Sequence, residues 1–219
     1  MTATWQKLRG PSLAPVGDRV GSEASGAVEV SGAVGASGAV EMSRSVVVRT
    51  ATPDDAAACA ALYAPYVTET CITFETVPPT ATQMAARIAA ALATHTWLVA
   101  VDGDEVLGYA YGGRFAQRAA YDWSCETSIY LRRGLRRTGL GRVLYTELLD
   151  RLAARGYRRA FVGITVPNEA SEGLHRAFGF EPAGVLRRVG FKQGRWHDVA
   201  RLQRSLGDPD EDAPPVPLT

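Results

Sequence analysis

Cysteine is scarce in this 219-residue chain. Cys59, Cys71 and Cys125 are odd in number and never spaced as Cys-x-x-Cys, which speaks against a disulfide-stapled secreted domain and against a zinc site. A reducing, cytoplasmic setting and no metal are expected. Net charge is nearly absent at +1, so a broadly electrostatic nucleic-acid binder is not expected. No apolar run reaches the ~18 to 20 residues that span a bilayer, and the N-terminus lacks the basic-then-apolar order of a signal peptide, so no membrane partner is expected. Gly-Lys-Ser/Thr is missing, which counts against a nucleotide-binding P-loop. With 46% hydrophobic and 21% charged residues, what is present suits a globular domain that buries roughly two thirds of its unfolded surface without staples.

Composition changes along the chain. Residues 1–44 are rich in Gly, Ala, Ser and Val, with Ser-Gly-Ala-Val recurring at Ser25, Ser31 and Ser37, and a disordered tail is expected because such repeats bury too little apolar surface. Met42, just before the first strand-like run, is a candidate translation start. A Pro-rich acidic tail is expected over 207–219, which leaves 45–206 as the folded domain. Within it the periodicities alternate. A strand at Ser45 to Arg49 precedes a helix that Thr52 caps and Pro53 opens, running to about Val67. A second helix fits Thr82 to Thr94, and strands at Trp97 to Val101 and Val106 to Tyr111 form a hairpin. A strand at Trp123 to Leu131, a helix at Arg142 to Arg155, a strand at Ala160 to Thr165, a helix at Glu169 to Phe178 and strands at 183–190 and 196–203 follow. The order βααβββαβαββ implies an α/β fold with a mixed sheet and helices on its faces.

Arg136-Arg137-Thr138-Gly139-Leu140-Gly141 ends one of these strands and opens a helix. Backbone N–H groups left free by two glycines and a helix start converge there and attract phosphate. Four arginines, Arg132, Arg133, Arg136 and Arg137, suit a negatively charged cofactor better than nucleic acid. Glu126 on the preceding strand is an isolated carboxylate, and Ser171, Leu174, His175 and Phe178 share one helix face, so His175 points towards the sheet.

The element order, Arg136-x-x-Gly139-x-Gly141 and Asn168-x-x-Ser171-x-x-Leu174-His175-x-x-x-Gly179-Phe180 resemble the GCN5-related N-acetyltransferases (GNAT). Tyr66-Val-Thr-Glu-Thr, Phe74-Glu75-Thr76, Ala120-Tyr-Asp-Trp123, Leu144-Tyr-Thr146 and Gly190-Phe-Lys-x-Gly194-x-Trp-His-Asp-Val199 are more closely similar to the phosphinothricin N-acetyltransferase subfamily, over roughly 46–205.

The resemblance implies the GNAT acyl-CoA N-acyltransferase fold and acetyl-CoA as cosubstrate. It implies that Arg136, Arg137, Thr138, Gly139, Leu140 and Gly141 hold the pyrophosphate, with glycine at 139 and 141 allowing close approach. Ile129, Tyr130 and Leu131 would offer backbone groups to the pantetheine arm and an oxyanion donor, where two strands splay apart. Asn168 would cap its helix and contact that arm. Glu126 would be the general base for an amine titrating near ~7.7 to 8. His175 stands where much of the superfamily has a tyrosine acid; with a reference pKa near ~6.5 it would be either a base partnering Glu126 or the acid. Phe74, Glu75, Arg118, Tyr121 and Trp123 would form the acceptor site, an arginine beside aromatics suiting a small zwitterion. Two departures from the subfamily stand out: Ala116 replaces a lysine two residues before Arg118, and Phe115 replaces a tryptophan. The expected activity is acetylation of the α-amino group of a small glutamate-like amino acid or toxic analogue such as phosphinothricin or methionine sulfoximine, by a homodimer. A protein or peptide acetyltransferase and a catalytically silent CoA-sensing module are the alternatives.

Overall fold

A computed structural model describes residues 27–29, 45–135 and 138–207. Among the described residues eight strands form one sheet in the order β1-β2-β3-β4-β5-β6-β8-β7. They are β1 (Ala27–Glu29), β2 (Ser45–Thr50), β3 (Trp97–Asp102), β4 (Glu105–Arg114), β5 (Ser124–Leu131), β6 (Arg159–Val166), β7 (Glu181–Lys192) and β8 (Arg195–Ser205). Neighbours are antiparallel throughout except β5 and β6. The helices α1 (Ala56–Glu69), α2 (Ala81–Thr94), α3 (Leu140–Ala154) and α4 (Glu169–Ala177) complete the expected mixed α/β order. The segment expected to be disordered departs from that reading at Ala27–Glu29, which pairs with Ser45–Val47 as an edge strand.

Local chemistry sets the helix starts. Thr52 and Pro53 open a 3₁₀ turn, Pro53–Asp55, before α1 rather than α1 itself. Asp55 turns back to accept from the Thr52 N–H at 2.7 Å and from the Arg49 guanidinium at 2.7 and 2.8 Å, fastening the helix entry to β2. α2 begins one residue earlier than expected because Thr80 and Gln83 form a reciprocal capping box, with bonds of 2.9 and 3.2 Å.

Strand alternation sends side chains to two faces. Trp97, Val99, Val101 and Tyr109 pack under α1 and α2 with Met84 and Ile88. Leu98, Ala100, Leu107 and Ala110 pack under α3 with Leu144, Tyr145 and Leu148. The loop between α1 and α2 is tied to the far hairpin: Lys192 Nζ donates to the Thr73 carbonyl at 2.7 Å, and Gly190 leaves room for the Phe74 ring, which a Cβ there would meet at 2.2 Å.

Candidate active site

Strands β5 and β6 stay paired over only Ser124–Glu126 against Arg159–Phe161, although both run about five residues further. Past Glu126 the strands part, and a cavity of about 60 Å³ opens between them, lined by Thr127, Ser128, Ile129, Gly163, Asn168 and His175. This is the splay expected near Ile129 to Leu131. Ile129 faces the gap, Tyr130 packs edge-on between Tyr63 and Tyr66 at 4.8 and 5.2 Å, and the Leu131 carbonyl accepts the Tyr66 hydroxyl at 2.6 Å.

α3 starts close to the end of β5. Gly139 is its N-cap at φ 79, a left-handed conformation that glycine adopts without strain. Its carbonyl accepts from the Arg142 and Val143 amides at 2.9 and 3.1 Å, while Thr138 Oγ1 takes the Leu140 amide at 3.4 Å. The first-turn amides carry the partial positive charge of a helix N-terminus. The two glycines differ in purpose: a Cβ on Gly141 would lie 3.3 Å from Leu131 Cδ1, so this position lets α3 approach β5. Arg136 and Arg137 lie outside the described residues.

Register separates the two candidate catalytic groups. Glu126 pairs with Gly113 on β4 and Phe161 on β6, and so shares the α1/α2 face with Tyr111 and Ser128. It is partly exposed, and its Oε1 accepts from Arg201 of β8 at 2.5 Å. Thr127, one residue on, points to the opposite face and bonds the Tyr145 hydroxyl of α3 at 2.7 Å. His175 belongs to that opposite face. It is buried edge-on against Tyr145 and Phe180, at 5.1 and 5.2 Å. Its Nδ1 lies 2.7 Å from the Ser171 carbonyl and must donate to it, so neutral imidazole carries its lone pair on Nε2. Nε2 is buried and has no partner among the described residues. Burial lowers the His175 pKa against a smaller opposing effect of the Ser171 carbonyl. Glu126 and His175 therefore approach the gap from different sides of the sheet, and no hydrogen bond joins them. Asn168 caps α4, its Oδ1 accepting the Ser171 amide at 3.2 Å, and also borders the gap.

The acceptor candidates divide. Phe74 is partly exposed and tilted 6.1 Å from the His197 ring. Glu75 is held by Arg87 through two bonds of 2.7 and 2.9 Å and by the Tyr63 hydroxyl at 3.1 Å, and the Arg87 guanidinium keeps its carboxyl below the usual range. Its observed contacts therefore fasten the loop to α2. Tyr121 stands exposed, edge-on to Phe115 at 5.6 Å, and Arg118 heads the exposed turn that carries it. Trp123 precedes β5 instead of starting it, and its carbonyl accepts the Arg158 and Arg159 amides at 2.8 and 3.3 Å. A larger cavity of about 380 Å³ lies between α2 and β4, lined by Tyr63, Arg87, Trp97, Tyr111, Gly113 and Arg114. Sequence reasoning missed Arg201, Arg87 and Gly163; the only available signal was in-phase alternation on strands whose pairing partners were not known.

The chain is similar in sequence and in fold to known proteins. A model of the acetyltransferase (GNAT) domain matches residues 48–200. Phosphinothricin N-acetyltransferase of Streptomyces viridochromogenes is 37% identical over 175 residues, covering 80% of this chain and 94% of that protein. L-methionine sulfoximine/L-methionine sulfone acetyltransferase of Pseudomonas aeruginosa is 42% identical over 118 residues, covering 53% of this chain and 68% of that protein. A GNAT superfamily phosphinothricin acetyltransferase of Sinorhizobium meliloti, crystallised in complex with AcCoA, superposes with a TM-score of 0.74 at 36% identity, covering 78% of this chain and 93% of that one. The residues here fit such a cosubstrate: a strand gap, a left-handed glycine opening a helix, and a buried imidazole nitrogen without a partner among the described residues. Among the described residues no cluster of His, Cys, Asp or Glu suits a metal ion, and no helix is long and apolar enough to cross a membrane. The chain belongs to the GNAT acetyltransferase family and is an acetyl-CoA-dependent N-acetyltransferase.

Proposed function

We propose that the protein acetylates the α-amino group of a small glutamate-like amino acid or a toxic analogue of one, such as phosphinothricin, methionine sulfoximine or methionine sulfone, and so detoxifies it. The observation that carries this reading is the position of Glu126, a partly exposed carboxylate at the branch point of β5 and β6, beside the 380 Å³ pocket that Gly113 and Tyr111 share with α2. That volume suits an amino acid and not a protein segment. In this reading Glu126 takes the proton of the acceptor amine. The amides at the start of α3, with Arg136 and Arg137, hold the pyrophosphate, and Ile129 to Leu131 with Asn168 border the arm.

His175 acts as a hydrogen-bond acceptor through Nε2. Its Nδ1 is committed to the Ser171 carbonyl and burial disfavours the imidazolium, so it is not a resident acid. Phe74, Tyr121 and Trp123 line the approach, with Arg118 as a cation for the acceptor and Glu75 supporting the loop.

The enzyme works in the cytoplasm, consistent with three unpaired thiols, and as a homodimer. The edge hairpin supports a self-association surface, since Val185, Leu186, Val189, Phe191 and Trp196 are each about half exposed. Light scattering at micromolar concentration checks the dimer. Thiol release from acetyl-CoA across a panel of amino acids, including phosphinothricin, methionine sulfoximine, methionine sulfone and glutamate, tests the activity. Saturable release with at least one is expected; release with none, or only with peptides, overturns the reading.

A further inference from the structure

Arg201 stands on β8, with β6 between it and β5, yet its guanidinium reaches over Gly163 to Glu126. Two features make that reach possible. Gly163, the β6 partner of Arg201, has no side chain in the way: a Cβ there would lie 3.0 Å from Arg201 Nη1 and 3.7 Å from Glu126 Oε1. Phe115 supports the guanidinium, whose carbon lies 5.9 Å from the ring centroid, and is itself fixed by stacking on Phe161 at 4.1 Å. The pair is open to solutes on the α1/α2 face, with the side chains of Arg201 and Glu126 26% and 39% exposed. An ion pair this exposed contributes little to stability, so holding the fold together is a poor account of it.

An α-amino acid carries its ammonium and its carboxylate on the same carbon. Whatever cation receives the carboxylate must therefore stand next to the group that receives the amine. Arg201 is in direct contact with Glu126, and no contact of that kind links Arg118 to it. We infer that Arg201 receives the α-carboxylate of the acceptor while Glu126 receives its amino group, each side chain exchanging the other for one end of the substrate. A guanidinium fork matches a carboxylate with two parallel bonds, and the aromatic floor keeps the fork aimed. Arg118, at the head of the exposed turn, is then left for the acceptor's far end. The inference rests on the proposed function and narrows it: a free α-carboxylate becomes part of what is recognised, so simple amines, amino-acid amides and peptide N-termini are poor acceptors.

The test compares the full-length enzyme on an accepted amino acid, with methionine sulfone as the first probe, and on its primary amide. The wild type is expected to favour the acid in kcat/KM by roughly 30- to 100-fold, the range for losing a charge-assisted hydrogen-bonded contact. In Arg201→Gln that ratio falls below about fivefold, chiefly through the KM of the acid, while KM for acetyl-CoA stays within twofold. Arg201→Lys recovers part of it. Should Arg201→Gln fail to fold, Gly163→Ala, which crowds the guanidinium, is expected to raise the KM of the acid in the same selective way. A ratio unchanged in both variants overturns the inference, as does a fall in kcat on acid and amide alike with KM constant, which would make Arg201 a tuner of Glu126. A wild type that acetylates acid and amide equally also overturns it while leaving the proposed function standing. A wild type inactive on every amino acid brings down the function itself.

Discussion

On the α1/α2 side of the gap between β5 and β6 the side chains are ionic and half exposed: Glu126 with Arg201, Glu75 with Arg87. On the α3/α4 side they are aromatic and dry, with His175 wedged between Tyr145 and Phe180, and Phe178 packed edge-on against Tyr145. The difference teaches which chemistry each side can host. A wet carboxylate can shed its proton to solvent between turnovers. Burial disfavours the charged form of an imidazole, and with one nitrogen locked to a carbonyl its neutral form has one lone pair to use. The proposed mechanism accordingly assigns proton removal to the first side and orientation to the second.

The largest blow to this contrast comes from Glu126→Gln. It is expected to lower kcat by roughly 10² to 10⁴, the usual contribution of a general base, with acetyl-CoA affinity nearly unchanged. Stopped thiol release with intact binding by calorimetry is the result sought; unchanged kcat would remove Glu126 from catalysis. His175→Ala should cost less, about 10- to 100-fold, as the loss of one buried acceptor. Its burial also gives a pH signature. The folded-state pKa lies below that of the unfolded chain, so the unfolded chain takes up the proton first as pH falls. The stability present above pH ~6.5 is then lost below it. His95, buried and stacked on Tyr157, follows the same sign with a pKa lowered to about 4 by burial and by Arg155 and Arg114. Thermal melts from pH 7 to pH 4 should show a steady decline, shallower in His95→Gln and in His175→Gln; parallel curves for all three proteins would refute the assignment.

Gly139→Val acts on neither face but at the entrance to the gap. A left-handed valine costs about 1 to 2 kcal/mol, which lowers Tm by roughly 2 to 8 °C, and KM for acetyl-CoA should rise about tenfold while the acceptor's KM holds. Equal effects on both substrates would place the acceptor at that entrance too. The smallest change is expected from Gly190→Ala, whose methyl would displace the Phe74 ring from the ionic side. A few-fold rise in acceptor KM alone would sharpen the contrast, and a matching rise for acetyl-CoA would blur it.

Much of this was readable from the sequence because it was local. The glycine turn, the Asn168 cap and the inward face of α4 depend on spacings of three or four residues, and each appears where those spacings put it. Arg201 was not readable, since its meeting with Glu126 depends on β8 lying inside β7 next to β6, a long-range pairing that no local pattern encodes. The ties of Glu75 to Arg87 and Tyr63 were not readable either, since these partners sit on the two helices that flank its loop. The separation of Glu126 from His175 by a whole sheet follows from a single residue of alternation, which has a direction only once the helices have been assigned to their sides.

A sheet that stops zipping after three pairs keeps two strand edges turned towards one another across an interval too wide for main chain to bridge. Amides and carbonyls along such edges stay in the market for polypeptide-like company. In the proposed reaction a slender ligand with amide groups along its length would be received there as a substitute rung, with its tip beside the cavity that residues of both faces line.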